Sequence, residues 1–230
     1  MLIKGLQKLT LLDFPGRIAC TVFTGGCNLR CPFCHNALLV TEIDNETIEE
    51  KDFFEFLKDR KGRLDGVAVT GGEPLLQKDA EDFLAKIKEL GFAIKLDTNG
   101  TFPDRLKKII DRKLVDYIAI DIKNSPKKYA LTAGLSELDV SKIKKSVDLV
   151  MESGIDYEFR TTVPKELFTA DDFEEIGKFI KGAKRYFLQE FKDSGNLIEE
   201  GLFTPESKET MEKYAEIAGK YVKNAEIRGI

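Results

Sequence analysis

The chain is predicted to be an α/β protein whose strand-helix units curl into a full or partial barrel. Three observations lead there. Apolar, β-branched runs alternate with amphipathic stretches along the whole length, no linker rich in Gly, Pro or Ser divides the chain, and 230 residues suffice for one such domain with a full core. Parallel strands joined by helices cross over right-handedly, and six or so units then close toward a barrel. A single domain over residues 1–230 is the expectation.

The elements follow from period and punctuation. Residues 1–12 carry Lys4 and Lys8 among short apolar pieces and are assigned no element. Strands are predicted over 18–24, 66–70, 92–98, 117–122, 156–163, 185–191 and 225–230, each a short run rich in branched or aromatic residues. A helix is predicted over 46–60, where Ile48, Phe53, Phe56 and Leu57 form a stripe. Another spans 78–90, with Phe83, Leu84, Ile87 and Leu90 inward and Gly91 as its stop. Further helices fit at 103–112, 139–153, 170–182 and 205–222.

Composition narrows the partners. With 36 Lys and Arg against 40 Asp and Glu the formal net charge is -4. No basic excess is available to grip nucleic acid or anionic lipid. No uncharged apolar stretch approaches the length of a membrane span, so a cytoplasmic protein without membrane contact is expected.

In a parallel barrel the ligand sits at the carboxyl ends of the strands. Cys27, Cys31 and Cys34 follow the first predicted strand, Thr70-Gly71-Gly72-Glu73-Pro74 the second, Asp97-Thr98-Asn99-Gly100 the third and Asp121-Ile122-Lys123 the fourth, while Arg160 lies near the end of the fifth. Three thiolates at C-x3-C-x2-C can hold three irons of a cubane cluster and leave the fourth open to a ligand that is not protein. Plainer readings compete. A Cys3His zinc site would use His35, but zinc motifs usually leave residues between ligands, and His35 adjoins Cys34. Cys31-Pro32-Phe33-Cys34 could be a redox C-x-x-C pair, which leaves Cys27 unexplained. An electron-transfer cluster needs a fourth thiolate, and Cys20, inside a strand, reads instead as a buried small hydrophobe.

The other arrays have two readings each. Gly71 and Gly72 make a tight turn, yet without Cβ atoms they would also let a ligand lie against the backbone. Pro74 is expected to hold Glu73 extended with its carboxylate projected outward. Asn99-Gly100 is a turn signal, while Asp97 and Asp121 at adjacent strand ends could bind a cation or ribose hydroxyls. Lys123 offers a point charge to a carboxylate.

Cys27-x3-Cys31-x2-Cys34, with Phe33 before the last cysteine, resembles the signature of the radical S-adenosylmethionine superfamily. Cys34-His35-Asn36, Gly71-Gly72-Glu73-Pro74, Asp97-Thr98-Asn99-Gly100 and Asp121-Ile122-Lys123 further resemble the glycyl-radical-enzyme activases. Leu11-Leu12-Asp13-Phe14-Pro15-Gly16 is most similar to the branch that activates anaerobic ribonucleotide reductase.

The resemblance implies a partial (β/α)6 TIM-like barrel, the radical SAM core, with a [4Fe-4S] cluster on the three cysteines and S-adenosylmethionine on its open iron. Reductive cleavage would yield a 5′-deoxyadenosyl radical that removes hydrogen from a glycine of a partner glycyl radical enzyme. It also implies an electron donor such as flavodoxin or ferredoxin. By the same resemblance Glu73 and the Gly71-Gly72 backbone receive the methionine ammonium, Lys123 meets the carboxylate, and Phe33 with Asn36 lies along the adenosine. Asp97, Thr98 and Asp121 match a monovalent cation site, and Arg160 is either a cofactor contact or a structural salt bridge. The pyruvate formate-lyase activase has a cofactor-contacting histidine near the end of the sixth strand. Here Leu188-Gln189-Glu190-Phe191 stands in its place, so Gln189 is the replacement candidate. No spare cysteines serve a second cluster. The alternatives are a radical enzyme acting on a small molecule, such as 7-carboxy-7-deazaguanine synthase, and a non-catalytic iron–sulfur or zinc protein.

Overall fold

Alternation along the strands decides the architecture, which the computed structural model describes for residues 1–41, 46–193 and 195–229. The strands are β1 (Ile3–Thr10), β2 (Ala19–Thr24), β3 (Gly66–Gly71), β4 (Ala93–Thr98), β5 (Tyr117–Asp121), β6 (Asp156–Val163), β7 (Tyr186–Glu190) and β8 (Ala225–Arg228). They lie in one sheet in chain order. β1 pairs antiparallel with β2, and every later neighbour is parallel. The helices are α1 (Ala37–Thr41), α2 (Glu50–Asp59), α3 (Ala80–Glu89), α4 (Pro103–Asp111), α5 (Tyr129–Thr132), α6 (Val140–Glu152), α7 (Ala170–Phe179) and α8 (Lys208–Gly219). Each strand from β2 to β7 is therefore followed by helix before the next, which makes the six expected units. β1 and β8 form the edges of an incomplete barrel.

Successive residues on these strands face opposite ways. Ile94 and Leu96, Ile118 and Ile120, and Tyr157 and Phe159 point outward into the main apolar core beneath the helices. Each fully buried chain of this kind contributes about 1.5–3 kcal/mol. The alternate residues, Lys95 and Asp97, Tyr117 and Asp121, and Glu158 and Arg160, meet one another inside the barrel. Register aligns them, because Asp97 pairs with Ala119 and Asp121 with Arg160.

The segment before β2 closes the floor. Phe14 is 2% exposed and packs with Ala19 and Tyr117, near the amino ends of the parallel strands. Its ring centroid lies 6.2 Å from that of Tyr117, and the Arg17 guanidinium sits over it. Gly66 makes room, since a Cβ there would come within 2.9 Å of Phe14 Cε1. The Leu11–Gly16 array thus has a structural role that its motif alone did not disclose.

Three expectations change. Residues 3–10, which received no element, form β1; Gly5 and two register irregularities interrupt the alternation that would have revealed it. The helix predicted from residue 46 begins at Glu50, because Ile48 bridges to Ile3 instead. α1 and α5 are too short to show a periodic stripe. Ile230, at the end of the last predicted strand, lies outside the described residues. Among the described residues no helix is long and apolar enough to cross a membrane.

Phe14→Ala empties the floor and is expected to lower the unfolding free energy by about 3–5 kcal/mol in urea titration. A loss below about 1 kcal/mol would show that the floor does not depend on this ring.

Candidate active site

The carboxyl ends of the parallel strands enclose a cavity of about 240 Å³. Cys27, Cys31, Cys34, Phe33, Asn36, Gly71, Gly72, Asp97, Thr98, Asp121, Lys123, Arg160 and Gln189 all line it. Among the expected site residues only Glu73 is missing from the wall.

The cysteine loop between β2 and α1 is held by its neighbours rather than by regular structure. Arg30 N donates to Ala133 O at 2.9 Å, and Glu199 N donates to Pro32 O at 2.9 Å. Gly134 allows the first contact, for a Cβ there would fall 1.9 Å from Arg30 O, and its φ of +68° already favours glycine. Leu29, Cys31 and Phe33 then pack with Ala133, Phe191 and Leu197 in a second apolar cluster, against which Phe203 lies. Phe33 meets Phe203 edge-on at 6.0 Å, and His35 lies over Phe191 at 5.6 Å. Among the described residues no three His, Cys, Asp or Glu side chains converge on a point for one metal ion. Cys27, Cys31 and Cys34 all line the one cavity, as ligands to separate irons of a cluster would have to. All four cysteines are free. Burial pushes the Cys31 thiol up to about 12, with nearby Lys123 opposing. Binding metal therefore requires the cluster to displace that proton. Cys20 is 0% exposed in the outer core, away from the cavity, as a small hydrophobe should be.

A chain of fixed ions runs beneath the opening. Arg160 Nε donates to Asp121 Oδ1 at 2.9 Å and Nη1 to Asp97 Oδ2 at 3.0 Å. Lys95 pairs with the other side of Asp97, and Lys123 Nζ lies 3.4 Å from Asp121 Oδ2. Deeper, Glu158 accepts from Nη1 and Nη2 of Arg228 at 2.9 Å each and from the Tyr117 hydroxyl at 2.9 Å. Burial would raise Asp121, but Arg160 and Lys123 outweigh it and hold the carboxyl at about 2. Burial would likewise lower Lys123, and the Asp121 carboxylate instead keeps it above the ordinary lysine range. Of the expected cation ligands, Asp97 and Asp121 are thus already matched by Lys95, Arg160 and Lys123, and the Thr98 hydroxyl donates to Glu73. Arg160 makes the salt bridges of its structural reading through Nε and Nη1, and its side chain also lines the cavity.

The glycines and Glu73 need correction. Gly71 has φ +113°, and a Cβ on it would lie 2.4 Å from Thr24 N; one on Gly72 would lie 1.9 Å from Gly26 O. Close packing of the two loops, rather than ligand approach alone, demands glycine at both. The Asn36 amide ties the same turn to the cysteine loop, donating to Gly71 O at 3.1 Å. Glu73 is extended as expected, but its carboxylate turns inward and is 0% exposed. It accepts from Leu75 N at 2.9 Å, Thr98 Oγ1 at 2.7 Å and Asn99 N at 2.7 Å. Those three donors, one in the turn after β3, one at the end of β4 and one on the loop that follows it, enclose the carboxylate. Lys95, Glu158 and Arg228, which belong to the ion chain beneath the cavity, were missed, although the alternation of Lys95 and Glu158 with outward apolar residues was a readable signal.

Burial pushes Glu73 up to about 7, its three hydrogen bonds opposing. A carboxyl raised from 4.5 in this way contributes most to folding below that value, and the contribution is lost as pH rises to about 7. Unfolding titrations should therefore show the wild type losing stability relative to Glu73→Gln between pH 4.5 and about 7. Parallel profiles would contradict the buried placement.

Residues 21–180 match the Radical SAM superfamily. A Methanocaldococcus jannaschii protein named as a candidate glycyl-radical enzyme activating enzyme is 35% identical over 236 residues, spanning 100% of this chain and 96% of its own length. The pyruvate formate-lyase-activating enzyme of Staphylococcus aureus (strain USA300) is 30% identical over 199 residues, 77% of this chain and 74% of that one. Streptococcus suis SuiB bound to S-adenosylmethionine has the same fold, with a TM-score of 0.68 over 89% of this chain at 17% identity; this chain spans 48% of the SuiB chain. TYW1 with a lysine-pyruvate adduct gives 0.61 at 14% identity, covering 88% of this chain and 73% of that one. The chain therefore belongs to the radical S-adenosylmethionine superfamily, and within it to the glycyl-radical-enzyme activating enzymes, whose cofactors are a [4Fe-4S] cluster and S-adenosylmethionine.

Proposed function

We propose that the chain acts in the cytoplasm as a single domain that installs a glycyl radical on anaerobic ribonucleotide reductase, with a flavodoxin or ferredoxin as electron donor. The observation that supports this most is the cavity, where three thiols share one enclosure with Lys123 and Arg160. A [4Fe-4S] cluster on Cys27, Cys31 and Cys34, with S-adenosylmethionine bound, supplies the electron and the carbon radical.

The chain's own residues bind, aim and shield. Lys123 Nζ and the Arg160 guanidinium offer charged donors to a carboxylate, and such bonds are the strong ones. Asp121 holds both cations in place, so their side chains need no further ordering when a ligand arrives. Phe33, Leu29 and Val40 give the cavity apolar wall, while Asn36, Gln189 and the Gly71-Gly72 turn add polar edges. Phe191, Leu197 and Phe203 cover the cysteine loop and keep water from it. Because β1 and β8 do not pair, the barrel keeps an open side through which a partner's glycine loop can reach the cavity.

Cys31→Ala should lose iron and all cofactor cleavage under anoxia; normal turnover would overturn the ligand assignment. Lys123→Ala should keep its iron and bind S-adenosylmethionine about tenfold more weakly or worse by calorimetry, the cost of one charged hydrogen bond. Equal affinity would remove Lys123 from the cofactor site. Mixing with anaerobic ribonucleotide reductase, dithionite and cofactor should give a glycyl doublet in paramagnetic resonance. Its absence would exclude that partner.

A further inference from the structure

The loop after β4 carries an amide pointed at the cysteine loop. Asn99 is 6% exposed and borders the cavity. Its orientation is determined by its neighbours: Oδ1 accepts from Thr101 N at 3.0 Å and Thr101 Oγ1 at 2.6 Å, so Nδ2 faces the other way. There it donates to Asn28 Oδ1 at 3.0 Å and reaches Cys27 Sγ at 3.8 Å. Asn28 closes the ring by donating to Thr101 Oγ1 at 2.9 Å. The backbone of Asn99 is in turn fixed on the enclosed Glu73 carboxylate. Leu29 N adds a second donor to Cys27 Sγ at 3.4 Å. Among the described residues, Cys31 and Cys34 receive no comparable bond to sulfur.

Resting on the cluster assignment above, we propose that Asn99 is a positioning residue that holds Cys27 and raises the reduction potential of the cluster. Hydrogen bonds to a ligating sulfur stabilise the more negative, reduced state, and outer partners of metal ligands set both orientation and potential. Glu73 then acts indirectly: its buried carboxylate fixes the loop that delivers the amide, rather than touching the cofactor.

Asn99→Asp keeps the acceptor that Thr101 needs and replaces the donor by an anionic oxygen beside sulfur. Asn99→Ala removes the donor without adding charge. Wild type and both variants are reconstituted anoxically, checked for iron, titrated with S-adenosylmethionine, and poised with dithionite while the reduced cluster signal is followed. Midpoint potentials should fall in both variants, further in Asn99→Asp, with cofactor affinity retained. If either variant fails to assemble a cluster, the other carries the comparison. Unchanged potentials in the variants that assemble, or weakened cofactor binding at an unchanged potential, would overturn the role and make Asn99 a bystander or a direct cofactor contact. Absence of a cluster from the wild type would be a different failure, that of the proposed function itself.

Discussion

One guanidinium, that of Arg160, decides what the inside of this barrel can be. It lies between Asp97 and Asp121 and within 3.8 Å of Glu158, so three strands deliver carboxylates to a single cation. Removing one partner from such a buried set leaves an uncompensated charge, which costs about 3–5 kcal/mol. The remaining ions, Lys95, Lys123 and Arg228, balance the rest. Apolar residues hold the sheet to its helices on the outside, and ions hold the inside open toward the cysteine loop. Stability and function thereby occupy opposite faces of the same strands.

The loops divide their work in a similar way. Gly71 and Gly72 let the turn after β3 press against the end of β2, and Asn36 ties that turn to the cysteine loop. Glu73 reaches across to the loop after β4, which returns through Asn99 and Asn28 to Cys27. Phe191, Leu197 and Phe203 close over the cysteines from the segment after β7. The thiols are therefore placed by contacts from several strand ends, and none of these contacts is local in sequence.

That distinction explains what could be read in advance. The apolar, β-branched runs from β2 to β8 and the helical stripes were legible because both signals are local. The cysteine motif, Lys123 and Arg160 could be placed at the strand ends from sequence, and all of them line the cavity. β1 escaped because an edge strand broken by Gly5 and register shifts has little alternation left to read. The inward turn of Glu73 escaped for another reason: its three donors lie in the turn after β3, at the end of β4 and on the loop that follows it, and only the fold brings these together. Phe14 shows the same limit, since nothing near it in sequence announces that Gly66 and Tyr117 will surround it.

On the proposed reading, Cys27, Cys31 and Cys34 ligate three irons of the cluster and leave the fourth to the cofactor. Mössbauer spectroscopy of anoxic, iron-57-loaded protein tests it most directly, with and without S-adenosylmethionine. The account predicts that one iron of the four changes its isomer shift when the cofactor is added while the others stay as they were. Four irons indifferent to the cofactor, or zinc in place of iron, would contradict it.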